Sequence, residues 1–166
     1  SHYHFEKRHA GINTFNHHNL LVESFFLLQK QLGVKEWICE WVLRINKHKK
    51  DKIPDGLLIL QNDTNLSLEV ETSYKTKEAW KTVVILYRYD IEEISRYDAV
   101  LVIAPDMLNY ESIKRKLYKI APEFSIRSFI LTEVNMLKLG LCFYQQGVRP
   151  ITEALNLLNP EGRQNE

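Results

Sequence analysis

The chain has 166 residues, 45% hydrophobic and 26% charged, with a formal net charge of +1. That length suits one domain able to bury roughly two-thirds of its unfolded surface, and the composition argues against overall disorder. Near-neutrality does not by itself announce a nucleic-acid binder, although a neutral protein can carry a locally basic face. No apolar run approaches the roughly 18 residues of a membrane span and no charged-then-apolar leader opens the sequence, so neither membrane insertion nor secretion is expected. Cys39 and Cys142 form no CxxC pair, which suggests small buried apolar groups in a reducing cytoplasm.

Leu20 to Leu32 has its apolar residues at mixed helical spacing and reads as the first helix, with Asn19 as N-cap and Gly33 as C-cap. His17 and His18 precede it as flanking or nucleic-acid-facing residues rather than ligands. In Val34 to Ile45, Trp37, Cys39, Trp41 and Leu43 alternate with Ile38, Glu40, Val42 and Arg44, which predicts a first strand, bent near its middle. Arg44 to Lys52 (RINKHKKDK) is the most basic stretch and could clamp phosphates; a solvated loop is the commoner fate of such a run.

Asp55 to Leu60 and the alternating Leu66 to Ser73 predict two strands, with the turn formers Gln61 to Asn65 making them an antiparallel hairpin. Pairing Leu60 with Leu66 puts Asp55 opposite Glu71. Thr76 to Tyr89 reads as a helix covering the sheet, Tyr97 to Ala104 as a buried strand, Asn109 to Ile120 as a helix and Ser125 to Thr132 as a last strand. The stretch from Asn135 to Gly147 has no clear character. Thr152 to Leu158 suggests a short terminal helix, so that residues 1–158 form a single α/β domain and 159–166 a polar tail. There are no internal repeats.

Period-two alternation points Glu69 and Glu71 the same way, and the hairpin register adds Asp55 to their face. Adjacent carboxylates repel by up to about 1 kcal/mol per pair unless a positive charge lies between them. A divalent cation is the usual remedy, since Mg²⁺ takes carboxylate oxygens and waters. Lys75, four residues past Glu71, can reach the same cluster. The plain alternative is a solvated strand face beside an ordinary Pro54-Asp55-Gly56 turn.

These residues resemble the motif of the PD-(D/E)XK nuclease superfamily: Pro54-Asp55 opens one hairpin strand and Glu69 lies on the next. Glu71 stands where the motif has its lysine. Within the superfamily the PDG turn, the Glu-x-Glu pair and a lysine four residues later are similar to replication-relaxation proteins and MobC-type relaxases of mobile elements, over roughly Asn19 to Ile103. The resemblance implies a restriction-endonuclease-like mixed β-sheet flanked by helices. It also implies a Mg²⁺- or Mn²⁺-dependent DNA endonuclease or nickase of mobile-element replication or mobilisation. Asp55 and Glu69 would hold the metal, Glu71 would bind it or orient water, Glu40 would be a further ligand, and Lys75 would stabilise phosphate charge or help activate the nucleophile. Lys77 and Lys81 would help face DNA.

A covalent intermediate of the relaxase kind would need Tyr74, Tyr87 or Tyr89, among which the sequence does not choose. His2 and His4 have the His-hydrophobe-His form of another relaxase class, but lack a central strand to hold them around a metal. The winged-helix part usual in replication-relaxation proteins has no room here, which leaves a fragment or a domain relying on partner proteins of replication or mobilisation. Two alternatives stand beside the enzyme: a non-catalytic DNA-binding accessory module on the same scaffold, and a protein-interaction domain. The sequence has no Gly-rich phosphate loop, HExxH helix or Gly-x-Ser-x-Gly elbow.

Overall fold

The computed structural model describes residues 2–45 and 52–158, with side chains of the first helix described from Asn16 onward. Helix α1 (His2–Gln31) leads into strand β1 (Val34–Cys39), a short helix α2 (Glu40–Ile45), and the strands β2 (Gly56–Leu60) and β3 (Asn65–Val70). Helix α3 (Lys77–Arg88) follows and runs into a π-helical turn at Tyr89–Glu93. Then come β4 (Ala99–Ala104), α4 (Met107–Ile120), α5 (Pro122–Ser128), β5 (Phe129–Glu133), α6 (Val134–Lys138), β6 (Leu141–Tyr144), β7 (Gly147–Pro150) and α7 (Ile151–Leu158).

The described residues build one seven-stranded mixed sheet in the order β1 to β7. Strands β1, β2 and β3 are antiparallel neighbours, β3, β4 and β5 are parallel, and β5, β6 and β7 are antiparallel again. Every residue of β4 is buried, as befits a central parallel strand covered on both faces, which is why AVLVIA shows no alternation. On one face Leu58, Leu66, Leu68, Leu101 and Ile130 pack with Leu20 and Leu28 of α1 and with Ile151 and Ala154 of α7. On the other, Val100, Val102, Phe129 and Leu131 pack with Trp80, Val84 and Tyr87 of α3, Leu117 of α4 and Phe124 of α5. The fold is therefore α/β, a mixed sheet flanked by helices. No helix among the described residues is long and apolar enough to cross a membrane.

Several sequence expectations need correction. The first helix starts at His2, so Asn19 lies inside it rather than at its N-cap; its polar N-terminal half has no apolar stripe to announce it. Gly33 adopts no positive φ and instead offers its carbonyl to the Gln61 N–H at 2.8 Å. Strand β1 stops at Cys39, where Glu40 opens α2 and pairs with Arg44 one turn later; the pair adds only about 0.2–0.5 kcal/mol to the helical turn, and strand propensity yields here to tertiary context. Residues 125–128, expected as the start of the strand Ser125 to Thr132, are helical, the end of α5, whose first turn Pro122 opens. Strand β5 is not the last: Asn135 to Gly147 contributes α6 and β6, which pairs with β7 as a hairpin. The central part of the basic run, 46–51, and the tail, 159–166, lie outside the described residues, as do the side chains of His2 and His4.

The hairpin register also differs from expectation. Leu58, not Leu60, faces Leu66, and Gly56 faces Leu68, because Asp63 enters the left-handed region at φ 64° and tightens the turn, with the Leu60 N–H on the Thr64 carbonyl. The shift is two residues, so side-chain faces are preserved. Asp55, one residue beyond the last pair, neighbours Glu69 rather than Glu71.

Gly56 occupies a place where a Cβ would run into the Trp37 indole. Gly56→Ala should therefore cost about 1–3 kcal/mol through overpacking and lower the melting temperature by roughly 3–10 °C, as calorimetry would register; an unchanged value would mean that the indole yields freely.

Candidate functional site

The acidic residues gather at one end of the sheet, where β3 and β4 finish and β2 begins. Asp55 caps that end: its Oδ2 accepts the Val70 N–H at 2.7 Å while its own N–H donates to the Leu68 carbonyl at 3.0 Å. Glu69, from β3, turns to the α3 side, since Val70 beside it belongs to the opposite core. There its carboxylate accepts the Tyr87 hydroxyl, which also lies 2.9 Å from Ser67 Oγ. Glu71 continues the ladder by donating its N–H to the Ile103 carbonyl at 3.0 Å and accepts a hydrogen bond from Ser73.

Each of these carboxylates has a basic partner of its own. His17 Nε2 lies 3.2 Å from Asp55 Oδ1, Lys52 Nζ 2.7 Å from Glu69 Oε1, and Lys75 pairs with Glu71. Glu40 pairs with Arg44. Glu69 and Glu71 are 8% and 5% exposed, so the pairs at the sheet hold charge inside the protein, where an unpartnered carboxylate would be costly.

The electrostatics follow from burial. Removal from water lifts the Glu69 carboxyl above its ordinary range, the nearby Asp55 adding to the rise and Lys52 opposing it. Burial likewise lowers the Lys75 ammonium, while Glu69 and Asp55 hold it up and Lys52 presses it down. Tyr87, fully buried, is pushed well above the usual phenol range by the same desolvation and by Glu69. His17 moves the other way, raised by its hydrogen bond to Asp55 against the effect of burial. Lys75 thus feels Asp55, Glu69 and Lys52 together, as members of one patch.

The structure brings Asp55, Glu69 and Lys75 together and keeps Glu71 beside Lys75. Glu40 is engaged by Arg44 on the rim of a cavity of about 320 Å³ that also touches Asp55 and Trp41. Among the described residues, no three His, Cys, Asp or Glu side chains are grouped so as to hold a metal ion. Lys81 pairs with Glu78 on α3 rather than with the site, and Lys77 is exposed. Compared with family models, with characterised proteins and with solved structures, the chain has no match.

Three participants escaped the sequence reading in these roles. Lys52 sat in a basic run that suggested phosphate contacts, His17 read as a flanking residue, and Tyr87 stood among nucleophile candidates. Only the last carried a signal: Ser67, Glu69 and Tyr87 lie on facing sides of a strand and a covering helix, where a phenol finds acceptors. Its burial and its bonds to Glu69 and Ser67 remove Tyr87 as an accessible nucleophile, while Tyr74 and Tyr89 remain exposed.

Two measurements test this charge network. A folded-state pKa of Glu69 above the unfolded value stabilises fully below the unfolded pKa and loses that contribution as pH rises through the folded pKa; at neutral pH the charge is therefore a net cost. In metal-free buffer Glu69→Gln should raise the melting temperature, as calorimetry would register, and a fall would show that the Lys52 pairing outweighs desolvation. For His17 the raised pKa gives a stabilisation fully present below about 6.5 and lost as pH climbs through the folded value. The urea stability gap between wild type and His17→Ala should shrink from pH 6 to pH 9; a constant gap would leave the imidazole a packing role only.

Proposed function

We propose that the protein is a metal-dependent DNA phosphodiesterase, an endonuclease or nickase of PD-(D/E)XK type serving mobile-element replication or mobilisation in the cytoplasm. The observation that carries this reading is Asp55, immediately before β2, beside Glu69, near the end of β3, with Lys52 paired to Glu69 and Lys75 paired to Glu71 just beyond it. The element order, a helix, three antiparallel strands, a helix and a strand parallel to the third, agrees with what the motif implies. Two free cysteines fit a reducing compartment.

The donor set suits Mg²⁺ or Mn²⁺, hard ions that bind through one or two carboxylates and keep several waters. Asp55 and Glu69 would hold the ion, with waters completing its shell. When bound, the ion supplies charge stabilisation at the phosphate and an acidified water. The remaining roles belong to the chain. Tyr87 orients Glu69, fixing one carboxylate oxygen through its hydroxyl. Lys52 and Lys75 neutralise the carboxylates in their absence and can turn to the non-bridging phosphate oxygens as charge grows there. Burial lowers the pKa of Lys75, which favours its giving up a proton more readily than an exposed lysine does. Lys116, which donates to the Lys75 carbonyl at 2.7 Å, holds the connection that carries it.

A second reading is favoured by one observation: Asp55, Glu69 and Glu71 are each already paired, with His17, Lys52 and Lys75, so that no carboxylate waits for an ion. That is what a non-catalytic DNA-binding module on this scaffold would show.

Millimolar Mn²⁺ should raise the melting temperature of the wild type but not of Asp55→Asn, since a ligand of the folded state stabilises it by mass action. In single-turnover cleavage of supercoiled plasmid at saturating protein, Lys75→Ala and Lys52→Ala should each lower the rate about a hundredfold with little change in DNA affinity. A wild type that binds the plasmid yet leaves it uncut would decide for the binding module.

A further inference from the structure

The rim of the site carries two large aromatic rings that the core does not use. Trp41 is 67% exposed and Tyr74 73% exposed. Trp41 lies in the first turn of α2, directly after β1, whose last residue Cys39 faces Gly56; it lines the cavity shared with Asp55 and Arg44. Tyr74 lies on the connection from β3 to α3, between Glu71 and the α3 N-cap Thr76. It lines a second cavity, of about 310 Å³, with Asn109, Ser112 and Arg115 of α4. The order across this end of the sheet is therefore Trp41, Asp55, Glu69 with Glu71, then Tyr74. The strands that carry this order, β1 to β3, span about 10 Å.

Each ring stands beside cations. Lys116 Nζ sits 3.7 Å from the centroid of the Tyr74 ring while donating to the Lys75 carbonyl, which fixes the ring on its connection and leaves its other face uncovered by that ammonium. Arg44, 61% exposed along its side chain, lines the Trp41 cavity. An aromatic plane with a neighbouring cation presents the two surfaces that a nucleotide offers to match, a base face and a phosphate. In a duplex the base faces are stacked on one another and closed to side chains, so such platforms serve only unpaired nucleotides.

We propose that the site takes a DNA strand whose bases are unpaired, with Trp41 and Tyr74 stacking on nucleotides either side of the phosphate that reaches Asp55 and Glu69. This assignment rests on the phosphodiesterase reading for the position of the phosphate. It gives Tyr74 a binding role through its ring, in place of the nucleophilic role that its hydroxyl suggested.

The test measures binding in metal-free buffer, where affinity is read apart from cleavage. A fluorescein-labelled oligothymidylate single strand and a duplex of equal length are titrated by anisotropy, alongside quenching of intrinsic tryptophan fluorescence. The single strand should bind more tightly than the duplex. Trp41→Ala and Tyr74→Ala should each weaken single-strand binding by about 5- to 150-fold, the range for one stacked base, with melting temperatures unchanged because both side chains are exposed. Tyr74→Phe should bind as the wild type does. Quenching should disappear in Trp41→Ala, because Trp80 is buried and Trp37 half-buried.

Preference for the duplex, wild-type affinity in both alanine variants, or equal losses in Tyr74→Phe and Tyr74→Ala would overturn the proposal. The two readings fail separately. Single-strand binding that depends on Trp41 and Tyr74, without Mn²⁺-dependent cleavage of any DNA, would keep the platforms and remove the enzyme. Duplex cleavage at wild-type rate in both alanine variants would do the reverse.

Discussion

A carboxylate set against an apolar sheet has to be answered by its neighbours, and in this protein the neighbours of Glu69 define the end of the molecule where chemistry is possible. Its charge is opposed by desolvation, so Lys52 and Tyr87 converge on it from the segment before β2 and from α3. Each answer constrains a further element. Tyr87 needs Ser67 as a second partner, which ties the register of α3 to that of β3. Lys52 fixes the approach of the chain to Asp55, and Asp55 in turn closes the Val70 N–H. A network of this kind is stable only when every member is satisfied.

The sheet makes this arrangement affordable. Strand β4 is buried throughout, and the packing of α1 and α7 on one face and α3, α4 and α5 on the other supplies the hydrophobic free energy that offsets the burial of charge. Polar groups are displaced to the sheet's end, where the parallel strands β3 and β4 present their carboxyl termini. In open α/β sheets that end is where ligands bind, because the loops there are free of the core's demand for apolar side chains.

The pairing of the acids is the feature that divides the two functional readings. Asp55, Glu69 and Glu71 each have a basic partner, an arrangement that satisfies the acids by itself and that would also suit a site whose lysines turn to phosphate oxygens. Positive charge reaches the acids of β3 and its continuation from two segments, Lys52 pairing with Glu69 and Lys75 with Glu71.

The sequence by itself determined the elements whose periodicity comes from burial on a defined face: β3 with its alternating Leu66, Leu68 and Val70, the continuous apolar β4, the amphipathic α3 and α4, and the mixed α/β class. It also put Glu69, Glu71 and Lys75 close together, because spacing along a strand is a local property, whereas the partner of Asp55 across the hairpin depended on the register. Tertiary structure alone decided the rest. The hairpin register was set by a left-handed Asp63, not by matching leucines; α2 took the place of a strand's second half although its residues alternate as a strand's do; α6 and β6 had too few residues to show a period. The basic partners were beyond local reach for the same reason: His17 and Lys52 meet Asp55 and Glu69 only once α1 and the β2 approach are packed, and no periodicity in the chain records which distant charge will answer a buried one.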